Sequence, residues 1–81
     1  MGKYLRKKRL YELFQKLLPE IKFPKIQECD YKAWHGEESL RFTLGKQNYE
    51  IKSLYEGLWI LVTWENSKLY RKRKDGGYEE T

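Results

Sequence analysis

The sequence has one cysteine, one histidine and two prolines among its 81 residues, and these scarcities exclude several classes of protein. Cys29 alone cannot form an internal disulfide, which excludes a secreted, disulfide-stabilised scaffold. No stretch approaches the roughly 20 apolar residues that a membrane-spanning helix requires. A disordered chain would need fewer hydrophobic residues than the 40% present here. These absences predict a folded, cytoplasmic protein with no membrane partner.

Residues that commonly carry catalytic or metal chemistry are equally scarce. His35 falls in a predicted turn and would need a nucleophile and an orienting carboxylate close by. Cys29 falls on the predicted core face, where a thiol acts as a small hydrophobe. One cysteine and one histidine, without CxxC or HxxxH spacing, fall short of the four ligands of a structural zinc site. We therefore expect no enzymatic activity, no catalytic residue, no metal and no cofactor.

The length and the first apolar pattern predict the start of the fold. Eighty-one residues are enough for one domain over residues 1–81 with one hydrophobic core. Residues 4–18 are predicted to form an amphipathic helix, because apolar residues recur at i, i+3, i+4, i+7 and i+8, and Pro19 ends it. The apolar stripe consists of Leu10, Leu13, Phe14, Leu17 and Leu18. Towards the N-terminus the same stripe continues with cations, at Lys3, Arg6 and Lys7.

After a connector over residues 19–25, the apolar period changes from helical to two, which is typical of strands. Short breaks rich in turn-forming residues separate five predicted strands, over residues 27–34, 39–44, 48–55, 58–64 and 68–74. A flexible tail over residues 75–81 follows. The sequence thus predicts an α+β fold, in which one N-terminal amphipathic helix packs on one face of a five-stranded antiparallel meander sheet. The pattern leaves open whether the sheet stays open or curls into a barrel.

Pairing the predicted strands across their turns assigns the side chains to two faces, because directly paired residues share a face. One face packs with the helix to form the core. The other face has no element to cover it, and it is predicted to include Trp34, Lys52, Leu54, Trp59, Leu61, Tyr70, Lys72 and Lys74. The same register points Arg71 and Arg73 towards the core. Either the last strand extends past the core, or a bulge near residues 66–67 turns them outward.

The net charge of +5 is concentrated near the two ends of the chain. Residues 1–18 carry six lysines and arginines against Glu12, and residues 65–74 carry five against Glu65. Concentrated cations favour an anionic partner, although the solvated ends of a small protein give the same pattern.

Nucleic-acid binding is the first functional prediction. Proteins that bind single strands combine cations with aromatic rings on which bases stack, and the uncovered face is predicted to supply both. The basic segments could also follow a phosphate backbone. The predicted contact residues are Lys7, Lys8, Arg9, Lys52, Trp59, Tyr70, Arg71, Lys72, Arg73 and Lys74. Single-stranded DNA or RNA is the favoured partner. The carboxylate of Glu50, on the same face, counts against nucleic-acid binding.

Protein binding is the alternative prediction. The uncovered face has the aromatic and apolar character of an interface core, at Trp34, Leu54, Trp59, Leu61 and Tyr70. Its partner would be an acidic protein, bound by an inhibitor or adaptor of the kind that phages or mobile elements encode, or a second copy in a homodimer. Nucleic-acid binding depends on Lys52, Lys72 and Lys74, whereas a protein interface depends more on Trp59 and Leu54.

Overall fold

The computed structural model describes residues 2–81, and Met1 lies outside them. Helix α1 spans Lys3–Leu17, and a short 3-10 helix, Ile26–Glu28, leads into the sheet. The six strands are β1 (Asp30–Trp34), β2 (Glu37–Leu44), β3 (Gln47–Leu54), β4 (Trp59–Thr63), β5 (Ser67–Lys72) and β6 (Tyr78–Glu80). Each strand pairs antiparallel with the next, so β1 and β6 are the two edges of an open sheet.

The predicted α+β architecture with an antiparallel sheet is confirmed, but the predicted strand number of five is wrong. The additional strand, β6, lies in the predicted flexible tail over residues 75–81. A tight turn reverses the chain there, since the Arg73 N–H donates to the Gly77 carbonyl at 2.7 Å. The Tyr78 hydroxyl then donates to the Gly57 carbonyl at 2.6 Å, which ties β6 to the turn between β3 and β4. A three-residue strand is too short to display the period of two by which strands are predicted.

The core lies between α1 and one face of the sheet. Its buried apolar residues are Leu10, Phe14, Leu18, Cys29, Tyr31, Leu40, Phe42, Ile51, Ile60, Val62 and Tyr70. A row of aromatic contacts extends this core, because the Phe42 ring lies 5.1 Å from that of Phe23 and 5.3 Å from that of Tyr49. Leu10 is the first buried residue of α1, so the first two turns of the helix lie outside the core.

The opposite side of the sheet is here called the open face. By the strand register it consists of Asp30, Lys32, Trp34, Glu37, Ser39, Arg41, Thr43, Asn48, Glu50, Lys52, Leu54, Trp59, Leu61, Thr63, Ser67, Leu69, Arg71 and Glu79. Helix α1 packs on the other side, and so do Ile21 and Phe23 of the connector. Within residues 2–81, neither the helix nor the connector therefore covers the open face.

The register of β5 differs from the predicted one. Thr63 pairs with Ser67, and the loop between them is closed by a hydrogen bond of 2.9 Å from the Trp64 N–H to the Asn66 carbonyl. The predicted register placed Tyr70, rather than Leu69, on the same face as Trp59. The two registers differ by an odd number of positions, and such a difference exchanges the two faces of a strand.

This exchange corrects the positions of several predicted site residues. Tyr70 is not on the open face but buried on the core side, with 8% of its surface exposed. Lys72 also lies on the core side, where it pairs with Tyr78. Arg71 instead lies on the open face, opposite Trp59, as the outward-facing alternative required.

The packing of α1 gives a direct test of the fold. Phe14 is fully buried between the helix and the sheet, so Phe14→Ala should lower the free energy of unfolding by about 3–5 kcal/mol. Leu5, on the same helix but 49% exposed, is the matched control, and Leu5→Ala should change stability by no more than about 0.5 kcal/mol. Urea denaturation monitored by circular dichroism measures both values. Equal losses for the two variants would contradict the packing described here.

Candidate functional site

The excess positive charge of the chain resides on α1. The helix carries six lysines and arginines and one acid, Glu12. Removing these from the seventeen cations and twelve acids of the chain leaves eleven of each sign, so the remainder has no net charge. Five of the six helical cations fall within residues 3–9, in the two turns that precede the core and are largely exposed to solvent. The first turn contains no acidic residue.

A groove lies where this basic part of α1 meets the edge strand β1. It has a volume of about 630 Å³, and it is lined by Lys3, Arg6, Tyr31, Lys32, Ala33 and Trp34. Three of these six residues are cations, two are aromatic and none is acidic. We call it the basic groove. Its electrostatic character favours an anionic ligand.

Trp34 provides an accessible aromatic surface at the end of the basic groove, with 72% of the residue exposed. Its indole contacts the His35 ring in a T-shaped arrangement with centroids 4.4 Å apart, which restrains the side chain. Glu37 of the neighbouring strand β2 pairs with Trp34. Trp34 lines the basic groove together with Lys3, Arg6 and Lys32, and it also lines an adjoining cleft that contains Glu37 and Glu38.

Tyr31 is the buried wall of the basic groove, with 7% of its surface exposed. Its hydroxyl donates a hydrogen bond to the Glu38 carboxylate. Burial, followed by this hydrogen bond and the charge of Glu38, raises the pKa of Tyr31 to about 12, against an opposing effect of Arg6. Tyr31 is therefore neutral at physiological pH and adds no negative charge of its own to the groove.

A larger cleft of about 860 Å³ lies between α1 and the turns at the ends of β1 and β3. Its charged lining consists of three cations, Arg6, Arg9 and Lys72, and three acids, Glu37, Glu38 and Glu56. Equal numbers of the two signs give it no net attraction for a polyanion. The smaller basic groove is therefore the better candidate for an anionic ligand.

The open face brings together only three of the predicted nucleic-acid contacts, namely Lys52, Trp59 and Arg71. It carries four cations (Lys32, Arg41, Lys52 and Arg71) and four acids (Asp30, Glu37, Glu50 and Glu79), which the strands place next to one another. Lys52 lies 3.9 Å from Glu50, for example, and Arg71 pairs with Glu79. The cation-rich aromatic face predicted from the sequence is therefore electrically balanced.

The other predicted contacts are distributed over separate parts of the molecule. Tyr70 is buried and presents no ring for stacking, which removes it from both the nucleic-acid and the protein interface. Arg73 and Lys74 lie beyond β5, where the Arg73 guanidinium forms an ion pair of 3.3 Å with Asp75. Lys7, Lys8 and Arg9 lie on the basic turns of α1, next to the groove residues Lys3 and Arg6.

None of the six residues of the basic groove was among the predicted nucleic-acid contacts, and Trp34 was predicted only for the protein interface. The signal that could have identified two of them is the continuation of the apolar stripe by cations. Residues on the apolar stripe of α1 face the sheet. Lys3 and Arg6 continue this stripe, so they are expected to lie against the nearest edge of the sheet. Which strand forms that edge depends on how the helix lies across the sheet.

Cys29 and His35 do not form a catalytic pair in this fold. Cys29 is buried at the start of β1, and burial is the main cause that raises the pKa of its thiol. His35 follows the other end of the strand, and six extended residues span about 20 Å. In residues 2–81, no group of three or more histidine, cysteine or acidic residues is arranged to hold a metal ion.

Comparisons with family models, with curated proteins and with solved structures give no match to this chain. Over the described part of the chain, neither helix combines the length and the apolar character needed to cross a membrane.

The raised pKa of Tyr31 predicts a dependence of stability on pH. A tyrosine whose pKa is higher in the folded than in the unfolded chain stabilises the fold fully below pH 10, and this contribution is lost as the pH rises towards 12. We expect the free energy of unfolding to fall across this interval, and Tyr31→Phe to reduce the slope. Urea denaturation at a series of alkaline pH values measures the effect. An unchanged slope in the variant would show that Tyr31 titrates normally.

Proposed function

We propose that this protein is a non-enzymatic, cytoplasmic binding domain that takes a single strand of DNA or RNA in the basic groove. The observation that carries the proposal is the lining of the groove, which combines three cations with an exposed tryptophan and contains no carboxylate. Grooves that bind single strands have this composition, with cations for the phosphates and rings for the bases. The cytoplasmic assignment is supported by the single, buried cysteine.

Electrostatics supports a polyanion as the ligand. Clustered cations at the N-terminal end of a helix oppose the helix dipole, so the basic turns of α1 are unfavourable without a partner. An anion next to Lys3 and Arg6 would relieve this repulsion. Lys7 and Lys8 add positive charge on the neighbouring turn. Each phosphate contact releases counterions, so we expect affinity to fall steeply with salt concentration.

Base stacking supports a single strand over a duplex. The indole of Trp34 is exposed at the end of the groove, and a base can stack on it only when the base is unpaired. Such stacking contributes roughly 1–3 kcal/mol per base and tolerates all four bases. We therefore expect modest sequence preference and weaker binding to duplex DNA.

The test is fluorescence anisotropy with labelled single-stranded DNA, single-stranded RNA and duplex DNA at several salt concentrations. Trp34→Ala should weaken single-strand binding about 5- to 150-fold, the equivalent of the stacking energy. Arg6→Ala and Lys32→Ala should each reduce the slope of log affinity against log salt by about 0.7 for each phosphate contact that is lost. Lys16→Ala is the matched control, because it removes an exposed cation from the far end of α1. It should leave the slope nearly unchanged.

Variants outside the groove distinguish this proposal from the interface predicted from the sequence. If Arg71→Ala or the Lys72→Ala, Lys74→Ala double variant abolishes binding while Trp34→Ala does not, the strand lies elsewhere and the groove assignment is wrong. If no probe binds at low salt, nucleic acid is not the ligand, and an acidic protein becomes the partner to test.

A further inference from the structure

The register of the strands places the large apolar residues of the open face next to one another. Leu54 pairs with Trp59 across β3 and β4, and Leu61 pairs with Leu69 across β4 and β5. Leu61 and Trp59 lie two positions apart on β4, so the four side chains form one continuous group. We call this group the apolar patch. All four residues are only half-buried, and the elements described here leave the patch open to solvent.

The surroundings of the apolar patch contain both signs of charge in equal numbers. The open face has four cations and four carboxylates, and they lie close to one another, across strands as Arg41 pairs with Glu50 and within β3 as Lys52 lies 3.9 Å from Glu50. Such a face attracts neither a strongly basic nor a strongly acidic partner. It can meet a copy of itself without net repulsion, because its cations and carboxylates are equal in number.

Helix α1 is less suited to self-association. Helix α1 carries the whole net charge of +5, so two copies that met through their helices would repel one another. Charge thus favours the open face over the helix as a surface for self-association.

From these observations we propose that the open face binds a second copy of this chain, forming a two-fold symmetric dimer in which two sheets pack face to face. Two sheets that pack in this way lie about 10 Å apart, and side chains from the inner faces fill the space between them. The apolar patch forms the centre of the interface and the balanced charges form its rim. This division matches the usual anatomy of protein interfaces.

The size of the sheet is sufficient for a stable dimer. A standard interface buries about 800 Å² on each partner. The longer dimensions of the molecule are 34 and 33 Å, and the third is 21 Å. A contact centred on β4 can therefore reach the standard size while both α1 helices stay on the outside, away from the contact. The basic groove lies at the edge strand β1, away from β4, and shares only Lys32 and Trp34 with the open face.

Sedimentation velocity on the full chain tests the dimer. At about 100 µM, well above the micromolar Kd of weak standard-size interfaces, the wild type should sediment with twice the 10.0 kDa mass of the chain. Leu61→Lys places a charge in the apolar patch and should yield a monomer. Leu58→Lys is the matched control, because it adds the same charge at an exposed position close by, outside the open face. It should remain a dimer.

Circular dichroism establishes that each variant is folded. If Leu61→Lys does not fold, Leu69→Lys replaces it, since Leu69 lies beside Leu61 in the same patch. A wild type that sediments as a monomer at this concentration overturns the proposal and leaves the open face to a different protein. A dimer that persists in both patch variants also overturns it, because the contact then lies elsewhere. Nucleic-acid affinity is not a readout here, so the outcome is independent of the function proposed for the basic groove.

Discussion

The packing of one helix against one face of the sheet determines the surfaces of this protein. Helix α1 is 15 residues long, about 22 Å, whereas the molecule measures 34 by 33 Å in its longer dimensions. Leu10, Phe14 and Leu18 fill the contact, and Phe14 is fully buried in it. A single helix can cover only one face, so the other face of the sheet remains exposed. The same contact starts at Leu10, and it therefore leaves the first two helical turns outside the core.

The two exposed surfaces, the first turns of α1 and the open face of the sheet, differ in their charge. The exposed turns of α1 carry five of the chain's cations, whereas the open face has as many acids as bases. The two surfaces are consequently suited to different partners. The partner we propose for the helix is a polyanion, whose binding would relieve repulsion between neighbouring cations. The partner we propose for the sheet is a neutral, partly apolar surface, which would bury Leu54, Trp59, Leu61 and Leu69.

Local patterns were sufficient to predict much of the fold. The helical period predicted α1 within one residue at each end, and the predicted third strand agrees with β3 within one residue at each end. Lys52, Leu54, Trp59 and Leu61 lie on the face predicted for them. The predicted register of β5 was wrong by an odd number of positions, and Tyr70 was therefore assigned to the wrong face. Loop length is set by hydrogen bonds such as that from Trp64 to Asn66, which apolar periodicity does not encode.

The candidate site was less predictable than the fold, because the basic groove joins parts of the chain that are distant in sequence. Lys3 and Arg6 come from the helix, and Lys32 and Trp34 come from an edge strand more than twenty residues later. Periodicity indicated that the cations of α1 lie on its packed stripe, but the strand that they approach depends on the tertiary arrangement. The balance of charge on the open face depended in turn on the correct register of β5, which places Arg71 next to Glu79.

The most direct test of this account is a nuclear magnetic resonance titration of the isotope-labelled protein with a short single-stranded oligonucleotide. The account predicts that the amide signals that shift cluster in residues 3–9 of α1 and in residues 31–34 of β1, with the indole N–H signal of Trp34 among them. Signals from the centre of β4 should remain in place. Shifts centred on Trp59 and Arg71, with none in the basic groove, would contradict the account and move the binding surface to the open face.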